Sequence, residues 1–269
     1  MDEKHDTRKQ VLAARDAIPA GDRARRSIEA SRALMSYFDS QGVGEAISQL
    51  RGESTSQPSC KSSSQLACEI TTSHERSVLV AVYAAMKSEV GLAPFIAEAY
   101  ARGWRVCFPV MIKGTAERTS APAATPVAAC TSASAATHTT TSTITDTPAS
   151  VHNDAVKRAR MEFFDVPAHL FERAGELFLS HPLHTYATSE LEKEGFRHVE
   201  PAEIDACVAP VVAFDAHRWR LGYGGGNYDH FLGELRVDAR VAGVAFAEQE
   251  VSCVPREPHD LPLPYIVVA

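Results

Sequence analysis

The stretch Val78-Leu79-Val80-Ala81-Val82-Tyr83 is followed, after a short interval, by Ala93-Pro94-Phe95-Ile96-Ala97-Glu98-Ala99-Tyr100-Ala101-Arg102, then Gly103, then Val106-Cys107-Phe108. Both outer runs are continuously apolar, as a parallel strand covered on two faces requires. The middle run predicts a helix, and Gly103 stands where its C-terminal cap belongs. The three pieces make a βαβ unit. Toward the C-terminus the apolar run Ile204 to Phe214, a helix from Tyr228 to Leu235, and the strands Val241 to Phe246 and Tyr265 to Val268 continue the alternation. Toward the N-terminus residues 4–18 carry a helical pattern that Pro19 ends. A second helix presents Ile28, Ser31, Leu34, Met35 and Phe38 to the core and leaves Arg25, Arg26 and Arg32 on its other face. Strands alternating with helices predict an α/β fold, a three-layer αβα arrangement around a mainly parallel sheet, with ligands beyond the carboxyl ends of the strands.

Two tracts interrupt this pattern, 48–74 and 114–155. Both are rich in Ser, Thr and small residues, including Ser62-Ser63-Ser64 and Thr139-Thr140-Thr141-Ser142-Thr143. Such tracts bury too little apolar surface to offset their ordering entropy, so they are expected to be low-complexity insertions. The rest of the 269 residues, with 45% hydrophobic composition, suffices for one sizeable core, and a single domain over 1–269 is expected.

The net charge of −7 argues against broad phosphate-backbone binding, so no nucleic-acid partner is expected and any anion site must be local. Met1-Asp2-Glu3-Lys4-His5-Asp6 does not read as a signal peptide, and no apolar run approaches roughly 18 residues. A cytoplasmic protein with no membrane partner and no obligate protein partner is expected. Cys60, Cys68, Cys107, Cys130, Cys207 and Cys253 lack zinc-site spacing. Cys107 and Cys207, inside apolar runs, are expected to be reduced core residues.

The chemistry concentrates in Arg220-Leu221-Gly222-Tyr223-Gly224-Gly225-Gly226-Asn227-Tyr228-Asp229, between a buried strand and a helix. Glycines there let backbone N–H groups converge on an anion, and the helix N-terminus adds positive dipole. Taken alone, the loop reads equally as a flexible glycine turn. It has neither the Lys-Ser/Thr ending of a Walker loop nor the spacing of a dinucleotide fingerprint.

The run from Ile204-Asp205 through Ala209-Pro210, Ala213-Phe214-Asp215 and Arg220 to Asp229 resembles the signature of the 5-formyltetrahydrofolate cyclo-ligase (5,10-methenyltetrahydrofolate synthetase) family. Lys4 and Arg8 resemble the family's N-terminal basic helix, Ser88-Glu89-Val90 its glutamate after the first strand, and Gly103 through Pro109 its second strand. Phe246-Ala247-Glu248-Gln249 and Pro255-Arg256-Glu257-Pro258-His259-Asp260 resemble its closing segments. Two departures stand out: Asn227 replaces the first aromatic of the usual Gly-Tyr-Tyr-Asp ending, and 161–200 matches poorly where pocket-wall residues are usual.

The resemblance implies the sugar-phosphate isomerase/CoA transferase-like fold and an ATP- and Mg²⁺-dependent carbon–nitrogen ligase. Its substrates would be 5-formyltetrahydrofolate and ATP, its products 5,10-methenyltetrahydrofolate, ADP and phosphate. It further implies ATP contacts from Lys4, Arg8, Arg220, Leu221, Gly222, Tyr223, Gly224, Gly225, Gly226, Asn227 and Tyr228, with Arg220 catalytic. Glu89 and Tyr228 would meet the pterin, and Asp229 and Asp260 would hold Mg²⁺. Each residue also has a plainer reading. Lys4 and Arg8 suit a solvated helix face, Arg220 a loop-anchoring ion pair, and Glu89 a helix-start acid. Tyr228 suits core packing, Asp229 a cap, and Asp260 a turn. If Asp229 both caps and binds metal, Asp229→Asn should lower turnover and leave the melting temperature nearly unchanged. Another small-molecule enzyme of the same fold, or a silent folate- or nucleotide-binding module, are the competing functions.

Overall fold

A computed structural model describes residues 3–44, 77–114, 159–257 and 260–269. Apart from Gly114, the two low-complexity tracts lie outside the described residues, as do Cys60, Cys68, Cys130 and His259. The chain opens with helices α1 (Glu3–Asp16) and α2 (Ala20–Ser40), and Pro19 stands at the N-cap of the second. Strand β1 (Leu79–Ala81), helix α3 (Ala93–Ala101) and strand β2 (Arg105–Ile112) form the expected βαβ unit. Pro94 sits in the first turn of α3, where its missing N–H costs nothing, and Gly103 follows the C-cap residue Arg102.

A group of short elements follows: β3 (Arg160–Asp165), α4 (Phe171–Ala174) continuing as one wider turn through Leu179, β4 (Thr185–Tyr186), α5 (Thr188–Lys193) and β5 (Arg197–Val199). The chain then runs through β6 (Ala206–Pro210), β7 (Ala213–Phe214), β8 (Arg220–Leu221), α6 (Asn227–Glu234), β9 (Arg240–Ala245) and β10 (Ile266–Val268). The main sheet has the order β10-β9-β6-β1-β2-β3-β5, with β4 also paired to β2. It is parallel from β10 to β2 and antiparallel at β3 and β5. This is the mainly parallel α/β sheet that the alternating pattern predicts.

Strand periodicity separates two cores. Val80, Val82, Val106, Phe108, Val208 and Val244 point to one face, where Leu34, Phe38, Phe95 and Ile96 of α2 and α3 cover them. Leu79, Ala81, Cys107 and Cys207 point to the other, under Phe231 of α6. Helices on both faces complete three layers. Cys107 and Cys207 are buried, free thiols, and burial pushes both above the usual thiol range, so they remain protonated. The α2 expectation needs two corrections. Ile28 is 41% exposed, because it lies one residue outside the stripe formed by Ser27, Ser31, Leu34, Met35 and Phe38. Arg26 is not left to solvent. It pairs in fork geometry with Glu248 at 2.8 and 2.7 Å and lies over the Phe246 ring.

The antiparallel register of β2 and β3 sets Ile112 opposite Arg160. The described residues that flank the second tract thus include neighbouring positions of one ladder. Replacing most of 115–155 with a short linker should therefore leave the far-ultraviolet circular dichroism of the core unchanged. Shortening the closed loop reduces its entropy by roughly 0.6 kcal/mol per halving, so the melting temperature should hold or rise slightly. Loss of folding would show that the tract packs on the core.

Candidate active site

The site lies beyond the carboxyl ends of β1 and β6 and is assembled by the β7–β8 hairpin. Asp215, 2% exposed, fixes that hairpin. Its Oδ1 accepts from the His217 and Trp219 N–H groups at 2.9 and 3.2 Å, and its Oδ2 accepts from Val254 N–H at 3.0 Å. Gln249 fastens the preceding strand by donating to the Val211 and Val212 carbonyls at 2.6 and 3.0 Å and accepting from Phe246 N–H at 2.8 Å. These bonds explain the chemistry of Ala213-Phe214-Asp215 and Phe246-Ala247-Glu248-Gln249. They satisfy buried backbone groups and deliver Arg220 to the base of the glycine loop.

Helix α1 lies along the loop. Lys4, Arg8, Val11 and Arg15 recur at alternating steps of four and three residues and so share one face. Val11 is buried among Ala213, Leu221 and Val254 and seats the helix. Lys4 Nζ donates to Asp260 Oδ2 at 2.8 Å and lies 3.4 Å from Glu257. Partial burial works against its charge, but the two carboxylates raise its pKa above the ordinary value. Arg8 Nε donates to the Gly222 carbonyl at 2.8 Å, and its guanidinium lies against Gly224. A Cβ at Gly224 would sit 3.3 Å from Arg8 Cζ, and the residue has φ +99°. The loop ends at Gly226, φ +68°, the N-cap of α6.

Arg220 and Asp229 form an ion pair through Asp229 Oδ1. The Arg220 side chain is 2% exposed and that of Asp229 26% exposed. The guanidinium also lies over the Tyr228 ring at 5.9 Å, and its Nε is buried with no hydrogen-bond partner among the described residues. The loop-anchoring reading of Arg220 is thus present in the geometry. Tyr228 packs edge-on against Phe163 and Phe231. Its hydroxyl is sealed with no partner among the described residues, and burial raises its pKa well above the usual phenol range. Asn227 is exposed, with its amide 3.9 Å from Met111 Sδ.

Glu89 follows β1 as expected and is 8% exposed. Its Oε2 accepts from Met86 N–H at 2.7 Å, and its Oε1 accepts from the Tyr223 hydroxyl at 2.7 Å. Burial pushes the Glu89 carboxyl above its ordinary value, against the pull of Met86 N–H, Tyr223 and Arg15. The turn at 86–89 includes Lys87 at φ +50°, a left-handed conformation uncommon outside glycine.

The structure therefore brings Lys4 and Arg8 to Asp260 and the glycine loop, Arg220 to Asp229, and Glu89 to Tyr223. Asp229 and Asp260 each carry a cationic partner. Among the described residues no cluster of three or more His, Cys, Asp and Glu side chains is placed to hold a metal. One group escapes the sequence reading: Arg15, 2% exposed, which donates to Ser88 and to Tyr223. Its spacing from Lys4 and Arg8 was the available signal. Among the described residues no helix is long and apolar enough to cross a membrane.

Comparison with known proteins gives a consistent picture. Residues 183–269 match the model of the 5-formyltetrahydrofolate cyclo-ligase family, including the last part of the poorly matching stretch 161–200. The 5-formyltetrahydrofolate cyclo-ligase of Escherichia coli K12 is 36% identical over 106 residues, 37% of this chain and 58% of the relative. That of Saccharomyces cerevisiae is 29% identical over 127 residues, 45% of this chain and 60% of the relative. The chain thus spans less than two thirds of the length of these curated relatives. Superposition on a 5,10-methenyltetrahydrofolate synthetase from Mycoplasma pneumoniae covers 99% of this chain and 98% of that one, at 18% identity and a TM-score of 0.48. Residues 183–269, which carry the glycine loop, are thus the part of the chain that is similar to the 5-formyltetrahydrofolate cyclo-ligase family.

Proposed function

We propose that the chain is an ATP-dependent ligase that converts 5-formyltetrahydrofolate to 5,10-methenyltetrahydrofolate with release of ADP and phosphate, and that it acts in the cytoplasm. The observation that carries this reading is the seating of α1 on the glycine loop. Lys4 and Arg8 lie one turn apart, one on Asp260 and the other on Gly222, so a basic face borders the loop suited to phosphate. The family match of 183–269 supports it.

The N5 formyl group is an amide, too weak an electrophile for attack by N10. Its oxygen attacks the γ-phosphorus of ATP and ADP departs, leaving an iminium phosphate. N10 then attacks the activated carbon, inorganic phosphate leaves with that oxygen, and the N10 proton is lost. The protein's work is positioning and charge neutralisation. Lys4, Arg8 and the backbone from Arg220 to Tyr228 hold the triphosphate. Arg220 acts from beneath the loop, where its Nε, with no partner among the described residues, remains a donor. Glu89 accepts hydrogen bonds from pterin N–H groups, and the Tyr228 ring forms part of the wall.

Mg²⁺ is the cation that the resemblance implies, and Asp229 and Asp260 are the carboxylates that would hold it. Asp229 meets Arg220 through Oδ1, and Asp260 stands at the other end of the basic face. Mg²⁺ takes only one or two protein carboxylates and completes about six positions with water and phosphate. When bound it supplies charge neutralisation on the phosphates. Arg220 and Lys4 keep the two carboxylates fixed.

Purified protein is expected to form the methenyl product, read by its absorbance, only when ATP and Mg²⁺ are both present, with ADP and phosphate released in equal amounts. No product from demonstrably folded protein would refute the assignment. ATP consumption independent of the folate would point to another enzyme of the same fold.

A further inference from the structure

Arg15 carries a buried charge, and two carboxylates are reached from it through bridging hydroxyls. Ser88 Oγ accepts from Arg15 Nε at 3.0 Å and donates to Asp16. The Tyr223 hydroxyl accepts from Arg15 Nη2 at 3.1 Å and donates to Glu89 Oε1 at 2.7 Å. The remaining nitrogen, Nη1, is buried with no partner among the described residues. A buried cation is costly unless an opposite charge or well-placed acceptors compensate it. A hydroxyl can compensate both ends at once, because it donates one bond and accepts others. Tyr223 is 44% exposed, so core burial does not hold its ring. The bonds to Arg15 and Glu89 do.

Tyr223 belongs to the glycine loop, whereas Glu89 belongs to the turn after β1. We propose that Arg15 and Tyr223 are positioning residues, a hydroxyl-bridged ion pair that keeps Glu89 an oriented carboxylate and couples it to the placement of the glycine loop. The charged and titratable groups around Glu89 are Arg15 from α1, Tyr223 from the loop, Tyr83 beyond β1 and Tyr228 from α6. Tyr83 and Tyr228 are neutral, since burial raises both well above the usual phenol range, and Tyr83 donates its proton to the Val90 carbonyl. Arg15 and Tyr223 are therefore the side chains that oppose the desolvation of Glu89. With the bridge in place, a phosphate-loaded loop and a folate-ready carboxylate form together. The identity of the ligand on Glu89 rests on the function proposed above; the bridge itself does not.

Tyr223→Phe keeps the ring and deletes only the bridging oxygen. In the full chain with carbon-13-labelled glutamate, the Glu89 carboxyl resonance, assigned with Glu89→Gln, is followed against pH. Its midpoint should move to higher pH in Tyr223→Phe. In turnover assays the KM for 5-formyltetrahydrofolate should rise about tenfold, the scale of one hydrogen bond to a charged group, with kcat within about threefold of wild type and a smaller rise in the KM for ATP as the loop loses its tie to Glu89. Arg15→Gln should shift the midpoint in the same direction, and the double variant should shift it by less than the sum of the two. An unchanged midpoint in Tyr223→Phe overturns the bridge. A shifted midpoint with an unchanged folate KM overturns the positioning role. If the wild-type chain does not turn over the folate, the functional reading fails, while the carboxyl titration still decides the bridge.

Discussion

Asp229→Asn is expected to lower turnover at least about 100-fold, the loss typical when one electrostatic stabiliser of a transition state is removed. Apparent Mg²⁺ affinity should weaken as well. The sequence alone leads one to expect an unchanged melting temperature, because Asn preserves helix capping. The ion pair alters that expectation. Arg220 is 2% exposed and Asp229 supplies its counter-charge, so the amide leaves a buried guanidinium without its anion. Removing one partner of a fully buried pair costs about 3–5 kcal/mol, and since Asp229 is partly exposed and Asn still accepts a hydrogen bond, about 2–3 kcal/mol is the better figure here. For a chain of this size that corresponds to roughly 5–10 °C. Steady-state kinetics with Mg²⁺ titrated, together with calorimetry, separate the two effects. Unchanged kinetics would refute the metal role, and an unchanged melting temperature would refute the anchoring role.

Gly224→Ala should raise the KM for ATP by roughly 10- to 100-fold, corresponding to about 1–3 kcal/mol of backbone strain at a residue held in a sparsely populated conformation. The residue has φ +99°, and the added methyl would meet Arg8 Cζ at 3.3 Å. The guanidinium must then give way by a few tenths of an ångström, on top of the strain of a side chain at this φ. Through the Tyr223 hydroxyl the displacement should also reach Glu89, with a smaller rise in the KM for the folate. Arg8→Ala in the Gly224→Ala background offers the control. If the methyl acts by expelling Arg8, the second substitution adds almost nothing; full additivity would show that Arg8 and Gly224 act independently.

Much of this architecture was legible in the chain because its parallel strands are buried on both faces. Runs such as Val78–Tyr83 and Val241–Phe246 are continuous apolar blocks that few other structures explain. The region 160–199 was not legible for the opposite reason. Its strands lie toward the antiparallel edge and are short and mixed, as the partial burial of Arg160–Asp165 shows, and the helical turn through Leu179 changes its period midway. Within the site, the glycine loop and Lys4-x-x-x-Arg8 announced themselves through residue type and spacing. Their partners did not. The Lys4–Asp260 bond spans nearly the whole chain, and no local pattern predicts it. Arg15 was visible in principle, four residues beyond Val11 on the same helical stripe, but a single arginine on a basic helix attracts no notice until its burial is known.

The pairing of α1 with the far end of the chain also bears on synthesis. Lys4 is made 256 residues before Asp260, and Arg8 214 residues before Gly222, the groups they seat against. At about 5–20 residues per second the ribosome needs tens of seconds to bridge that interval. Through this time the basic helix has no loop to lie on, and nothing that precedes Arg220 can assemble a phosphate cradle. In a nascent chain stalled before Arg220, helix α1 therefore still lacks its partners Gly222 and Asp260, and it takes its seat only after both have emerged.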